Sequence, residues 1–145
     1  MRITIENYQS FIEALEQEMS DLNRQMKVLE SGFGDDPDPS EYYEYNELWR
    51  CENYLKKTHD YFFDAEDRLA EFESLDALKA YVGVLRNLYE AMTAYSDAML
   101  PSEDCDDLVG VTYEEWDKSE GERYKVGKRL SAWTAFAEFC EFGRV

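Results

Sequence analysis

Carboxylates are the most numerous reactive side chains of this sequence, and their excess is its most unusual property. The chain has 33 Asp plus Glu against 15 Lys plus Arg, which gives a formal net charge of −18 at pH 7. A net charge of about 2 to 8 in magnitude already keeps a small domain soluble, and self-repulsion destabilises the compact state as the charge grows. We therefore expect the acidic residues to bind a basic partner.

Three stretches concentrate the acids. Residues 30–52 hold eight acids and one base, and residues 97–117 hold eight acids and no base. The third is a row with 4-3-4 spacing on the expected second helix, formed by Asp60, Asp64, Asp67 and Glu71. Such a row aligns like charges on one helix face, at a cost of roughly 0.2 to 0.5 kcal/mol per pair. A solvated face is the simple interpretation of one stretch, whereas three of them favour a binding role.

The spacing of these carboxylates suggests what they imitate. Side chains three or four residues apart on a helix are about 5 to 6 Å apart, which is close to the spacing of successive phosphates along a nucleic-acid strand. Duplex DNA carries one charge per about 1.7 Å, so about 50 Å of duplex holds roughly 29 charges, more than the whole chain. The imitation is therefore expected to be a local patch or two that fits one basic groove.

An aromatic cluster lies among the acids at the start of the expected second helix. Tyr and Trp are favoured at interface centres because they bury a large area and keep a polar group. The cluster suits a basic groove that also stacks bases, and the alternative is packing against the end of the fourth helix. It consists of Tyr42, Tyr43, Tyr45 and Trp49, interleaved with Glu41, Glu44 and Glu47.

The residues expected to bind the partner combine this cluster with the acidic rows. They are Glu41, Tyr42, Glu44, Tyr45, Glu47, Trp49, Asp60, Asp64, Asp67, Glu71, Glu103, Asp104, Asp106 and Asp107. Five of the fifteen bases lie within twelve residues near the carboxyl end, namely Lys118, Arg123, Lys125, Lys128 and Arg129. These bases are expected to pair with acidic helices of the same bundle, or with a second copy of the chain.

The sequence lacks catalytic and metal-binding patterns. His59 is the only histidine, which excludes a Glu-x-x-His di-iron site in its usual form, and Cys51 is about two helical turns from it, out of reach for a nucleophilic pair. The three cysteines form no C-x-x-C pair, and the acids around Asp104 lack the pattern of a calcium loop. We expect no enzyme activity, no cofactor and no metal, and a partly buried His59.

Four helices are predicted to position these residues in one domain, over about 6–31, 41–73, 75–99 and 113–142. Residues 8–29 carry one heptad-spaced apolar stripe, which predicts one buried side. Residues 75–99 carry two such stripes, which predicts a central helix buried on more than one side. The expected fold is all-α, an antiparallel helical bundle of about four helices whose long second helix protrudes.

Helix boundaries are predicted from capping residues. Ser40 and Ser74 are expected to be the N-caps of the second and third helices. Thr112 and Ser119 each begin a capping-box pattern, which predicts a short helix before a longer one. Gly143 is expected to close the last helix.

The cellular compartment is predicted from what the sequence does not contain. The first ten residues lack the apolar region of a signal peptide, and no apolar run approaches the roughly 18 residues of a membrane span. An odd number of widely spaced cysteines fits a reducing compartment. We expect a cytoplasmic protein that does not bind membranes.

By composition and size, and by no specific motif, the chain resembles the acidic anti-CRISPR and anti-restriction proteins of phages, several of which are DNA mimics. The resemblance implies a viral inhibitor in the host cytoplasm. Such a protein would bind the basic nucleic-acid-binding surface of a defence nuclease or CRISPR surveillance complex, block DNA or RNA binding, and not bind nucleic acid itself.

Two other functions are compatible with the sequence. The chain is similar on the same grounds to acidic immunity proteins and antitoxins, which neutralise a basic toxin. It also has the heptad seams of a self-associating structural helical protein. A homodimer is compatible with all three functions.

Overall fold

Four helices make up most of the structure, which is a computed structural model. It describes residues 2–35, 39–65, 69–99 and 110–145, and for residues 39–41 it describes the backbone alone. The helices are α1 (Ile5–Ser31), α2 (Pro39–Asp64), α3 (Leu75–Met99) and α4 (Tyr113–Phe142). The described residues form no strand, only an isolated bridge between Ile3 and Phe72. The predicted all-α helical bundle is confirmed.

The helices are arranged as two hairpins. α1 packs along α2, and α3 packs along α4. In the first hairpin Tyr45 contacts Glu30 and His59 contacts Glu16, so the two helices run antiparallel.

The second hairpin is antiparallel for the same reason. Lys79 forms an ion pair of 2.6 Å with Glu141 at one end, and Ser96 hydrogen-bonds to Glu120 near the other.

An aromatic core joins the hairpins where α1 begins and α4 ends. Ring contacts between the hairpins in the described residues all lie at this end, and the rings of Tyr8 and Phe136 stack 4.3 Å apart. The buried rings of the core are Tyr8, Phe11, Phe62, Trp133 and Phe136. The hairpins also contact each other through α2 with α4 and α1 with α4.

The central helix is α4 and not α3, which corrects the sequence prediction. Among the described helices, α4 contacts the other three, whereas α3 contacts α4 alone and also packs on Phe72 of the preceding segment through Tyr81. One stripe of α3 is buried, but Val84, Leu88 and Tyr95 on its second stripe are 46% to 64% exposed. Trp133 and Phe136 of α4 already fill the space between the hairpins, so no other helix covers the second stripe of α3.

The second helix ends at Asp64, not at the predicted Glu73, and at 26 residues it is shorter than the 30-residue α4. The backbones of Ile3 and Phe72 exchange hydrogen bonds of 2.8 and 3.1 Å, and the Tyr8 hydroxyl donates to the carbonyl of Ala70. These contacts hold residues 69–72 across the end of the core. Leu69 and Phe72 pack on the core from this segment.

The predicted N-caps Ser74 and Thr112, which immediately precede α3 and α4, are confirmed. The Ser74 hydroxyl accepts a hydrogen bond of 3.1 Å from the amide of Ala77, and the Thr112 hydroxyl accepts one of 3.2 Å from the amide of Glu115. Gly143 closes α4 with a φ of 72° in the left-handed region, as expected.

Two capping predictions are wrong. α4 continues without a break through Ser119, so the second capping box does not start a helix. α2 begins at Pro39, which suits the first helical position because it has no amide proton to leave unpaired. Ser40 is therefore inside the helix and is not its N-cap.

Candidate protein-interaction surface

The aromatic cluster predicted from the sequence lies at the hairpin tip, which we define as residues 30–35 and 42–49. Phe33, from the connection between α1 and α2, contacts two of its rings. Its centroid is 6.2 Å from that of Tyr42 in a stacked arrangement and 5.8 Å from that of Tyr45 in an edge arrangement. The alternative prediction, that these tyrosines pack against the end of α4, is therefore wrong for Tyr42 and Tyr45.

A hydrogen bond fixes Tyr45 within the hairpin tip. Its hydroxyl donates to Oε1 of Glu30 at a distance of 2.7 Å. This bond stabilises the protonated phenol and raises the pKa of Tyr45. The first turns of α2 are thereby tied to the last turn of α1.

Three large side chains of the tip remain in solvent. Tyr42, Tyr43 and Trp49 are 51% to 67% exposed. Tyr42 and Trp49 are seven residues apart, so they lie on the same face of α2, two turns from each other. Exposed aromatic groups of this kind mark interaction sites more often than isolated exposed residues do.

Carboxylates surround these rings. Glu30, Asp35 and Glu44 are exposed, and Glu47 forms an ion pair of 3.0 Å with Arg50, one turn further along α2. The side chain of Glu41 lies outside the described residues. Acidic groups therefore outnumber basic groups on the described surface of the tip.

The acidic residues predicted to form a row, Asp60, Asp64, Asp67 and Glu71, do not all lie on one helix face. Asp60 and Asp64 lie on the last turns of α2, but Glu71 follows the end of the helix and pairs with Arg2 at 3.4 Å. Asp60 is about 22 Å along the helix from Tyr45. The tip and the Asp60 region are therefore separate acidic patches.

Several other predicted site residues cannot be placed on either patch. Asp67, Glu103, Asp104, Asp106 and Asp107 lie outside the described residues.

His59 lies between two carboxylates on the α1–α2 hairpin. Its Nε2 is 2.9 Å from Glu16 and its Nδ1 is 3.3 Å from Asp60, while its ring stacks on Phe63. The predicted partial burial of this histidine is confirmed. Within the ranges that the structure describes, no group of three or more His, Cys, Asp or Glu is arranged to hold a metal ion.

The bases near the carboxyl end do not pair as predicted. Arg123 forms an ion pair of 2.6 Å with Glu120 of its own helix, and the other four form no ion pair within the described ranges. Among the described residues, none of the five bases forms an ion pair with another helix of the bundle, and pairing with a second copy stays a prediction. Three residues of the region, Arg123, Tyr124 and Lys128, instead line a cleft between α2 and α4.

Sequence reasoning missed the two residues that order the tip. Phe33 is the one large apolar residue in the sequence that connects α1 and α2. A single apolar residue in an otherwise polar connection could have indicated that its side chain packs on a neighbouring helix. Glu30 appeared only as a member of an acidic stretch, because its bond to Tyr45 depends on the hairpin register.

No protein-family model, curated protein or solved structure matches this chain. No helix in the described ranges is long and apolar enough to cross a membrane. The function is therefore inferred from the surfaces of the molecule.

Proposed function

We propose that this protein is an acidic inhibitor whose hairpin tip enters the basic nucleic-acid-binding groove of a defence nuclease or surveillance complex and blocks DNA or RNA. The observation that supports this proposal is the exposed group of aromatic rings among carboxylates, in which Phe33 contacts Tyr42 and Tyr45 and Glu30 holds the Tyr45 hydroxyl. Grooves that bind single-stranded nucleic acid combine cationic side chains with aromatic platforms. The tip presents the complementary charge together with rings that stack in the same way.

The aromatic rings supply most of the expected affinity. Tyr and Trp dominate the binding energy of protein interfaces, and truncating one such residue at an interface centre costs about 2 kcal/mol or more. Trp49 and Tyr42 lie on one face of α2 and can enter one groove together. Phe33 and Glu30 hold the neighbouring side chains before binding, which reduces the entropy lost on association.

The carboxylates supply rate and selectivity. Opposite charges on two surfaces accelerate encounter and disfavour wrong partners, and a chain with a net charge of −18 attracts basic surfaces from several directions. Two separate acidic patches agree with imitation of a short length of nucleic-acid backbone. A surface of this kind loses affinity as salt screens the charges.

The proposal is tested by capture from a lysate of bacteria that carry defence systems. The tagged protein is used as bait, and the bound proteins are eluted with rising salt and, separately, with duplex DNA. We expect a nucleic-acid-binding protein that elutes with either. Tyr42→Ala combined with Trp49→Ala should lose this protein, whereas Tyr95→Ala, an equally exposed tyrosine on α3, should retain it.

Other captures would contradict the proposal. A protein that remains bound at high salt and in excess DNA does not bind in place of nucleic acid. A toxin captured with 1:1 stoichiometry would favour an immunity protein instead.

A second candidate function, self-association as a structural helical protein, is supported by the outer stripe of α3. Val84, Leu88 and Tyr95 are exposed at spacings of four and seven residues, and none is ionisable at neutral pH. A second copy can approach this stripe without meeting carboxylates directly. Size-exclusion chromatography with light scattering distinguishes this function, because a structural protein would be a stable oligomer at micromolar concentration.

A further inference from the structure

A cleft of about 490 Å³ opens between α2 and α4, and Tyr61, Leu130 and Ala132 form the part of its wall that adjoins the core. Its size is within the 300 to 1,000 Å³ that is usual for small-molecule sites. Tyrosine rings and bases dominate its walls. They are Tyr54, Tyr61, Tyr89, Tyr124, Lys57, Arg123 and Lys128.

The charge of the cleft is opposite to that of the chain. Three bases and one acid, Glu120, line the cleft, and that acid is occupied by Arg123 and by the hydroxyl of Ser96. Asp97 does not line the cleft but is close enough to act on Arg123, which leaves Lys57 and Lys128 as the free positive charges. Lys57 and Lys128 have no carboxylate partner in the described part of the chain. At physiological ionic strength charges are screened over about 8 Å, so the distant acids of the protein do not cancel this local positive charge. An anion is therefore the ligand that the cleft favours.

The tyrosines present flat apolar surfaces beside these cations. Tyr54 and Tyr124 are exposed, and the ammonium of Lys128 lies 5.1 Å from the ring centroid of Tyr124. The Tyr61 hydroxyl accepts a hydrogen bond of 3.1 Å from Trp133, which fixes that ring relative to the core. Aromatic side chains of this kind stack on planar bases without strong sequence preference.

Gly127 makes room for the fourth ring. A Cβ at this position would lie 3.0 Å from Cε2 of Tyr89, which is closer than ordinary contact. The glycine therefore lets the Tyr89 ring lie directly against α4 in the wall of the cleft.

We propose that this cleft binds a mononucleotide. The phosphate is held by Lys57 and Lys128, and the base stacks on the tyrosine rings. A phosphate alone would leave the aromatic surfaces unused, and a neutral ring would leave the ammonium groups without a counter-charge. The site uses none of the residues of the hairpin tip, so the two activities are separable.

Calorimetric titration of the full chain tests this proposal, with AMP, GMP, CMP and UMP as probes and with adenosine and inorganic phosphate as controls. We expect at least one mononucleotide to bind in the micromolar range. Adenosine and inorganic phosphate should bind at least tenfold more weakly than that nucleotide. Absence of binding by all four nucleotides at millimolar concentration, or equal binding of the nucleoside or the free phosphate, would overturn the proposal.

Variants locate the binding site. Lys57→Gln combined with Lys128→Gln removes two charge-assisted contacts and should weaken nucleotide binding at least tenfold. The matched control, Lys27→Gln combined with Lys118→Gln, removes two exposed lysines outside the cleft and should leave the affinity unchanged. All four lysines are exposed, so neither variant is expected to unfold the chain.

A further variant tests the aromatic wall. Tyr54→Ala combined with Tyr124→Ala removes the two exposed rings of the cleft and should weaken nucleotide binding at least tenfold, and unchanged affinity would overturn the stacking part of the proposal. Equal affinity of the two lysine variants would overturn the assignment to this cleft, whereas loss of binding with Tyr42→Ala and Trp49→Ala would place the nucleotide at the tip instead.

Discussion

The ring of Tyr8 in α1 stacks on the ring of Phe136 in α4, with the centroids 4.3 Å apart and 13° between the planes. Phe136 is fully buried and also contacts Phe11, Phe62 and Trp133. This one side chain therefore connects the two hairpins.

Phe136→Ala is predicted to be strongly destabilising. Truncation of a buried phenylalanine costs about 3 to 5 kcal/mol because it leaves a cavity, and a domain of this size has about 5 to 15 kcal/mol in total. Urea denaturation followed by circular dichroism measures the change. Phe142→Ala, at an exposed position near the end of α4, is the control and should cost less than about 1 kcal/mol. Equal losses in the two variants would contradict the location of the core.

Thr112→Ala is predicted to destabilise α4 by about 1 kcal/mol, because it removes the side chain that accepts a hydrogen bond from Glu115. Ser119→Ala should change the free energy of unfolding by less than half of this value, because Ser119 is inside a continuous helix. Urea denaturation of both variants tests the prediction. A larger loss for Ser119→Ala would support the two shorter helices that the capping boxes suggest.

The stability of the fold should fall at alkaline pH. Burial raises the pKa of the Cys140 thiol from 9.0 to about 11. The unfolded chain releases this proton first, so the thiol contributes stability that is present below about pH 9 and is lost as pH rises toward 11. From pH 8 to pH 10 the parent should lose about 1 kcal/mol more than Cys140→Ala does. Parallel losses in the two proteins would show that this thiol is not buried.

The two acidic patches are predicted to contribute differently to partner binding. Glu44→Lys combined with Glu47→Lys reverses charge beside the exposed rings and should weaken the complex at least tenfold, mainly through faster dissociation. Asp60→Lys combined with Asp64→Lys acts about 22 Å from Tyr45 along the helix and should mainly slow association. Surface plasmon resonance with the captured partner separates the two rates. A larger effect of the Asp60 and Asp64 variant on dissociation would move the interface to that patch.

The outer stripe of α3 makes a separate prediction about oligomeric state. If the stripe mediates self-association, Leu88→Glu should convert an oligomer to a monomer, because it places a carboxylate among Val84 and Tyr95. Glu90→Lys, on the same helix and exposed, should leave the oligomer intact. Light scattering measures both. A parent chain that is monomeric at high micromolar concentration would exclude this function of the stripe.

The fold class could be predicted because helical periodicity is local. The apolar stripe of α1 places Tyr8, Leu15, Leu22 and Met26 on one face, and all four are buried. The end of α2 could not be predicted in this way. Leu69 and Phe72 continue the helical spacing, but Phe72 pairs instead with Ile3, a partner far away in the sequence.

The second stripe of α3 shows a further limit of sequence patterns. Alternating apolar residues at Val84, Leu88 and Tyr95 indicate an apolar face, but they do not say whether another helix covers it. Whether the second stripe of α3 is covered depends on how the helices pack. Trp133 and Phe136 of α4 occupy the centre of the molecule, so α4 and not α3 is the central helix.

The candidate surfaces were predicted in part. The aromatic residues of the tip could be identified by composition, but their support by Phe33 and Glu30 depends on the turn between α1 and α2. The cleft depends on how α2 and α4 pack across the two hairpins, so Lys57 on α2 and Lys128 on α4 gave no common signal in the sequence.

Competition for the captured partner is the measurement that would decide the proposed inhibition. Labelled duplex or single-stranded nucleic acid, the partner and this protein are mixed and separated by size-exclusion chromatography at low and at high salt. At low salt we predict two mutually exclusive complexes, because this protein displaces the nucleic acid from the partner. At high salt, or when the variant with Tyr42→Ala and Trp49→Ala is used, we predict that the protein no longer displaces the nucleic acid. A ternary complex that contains all three components would contradict inhibition by occupancy.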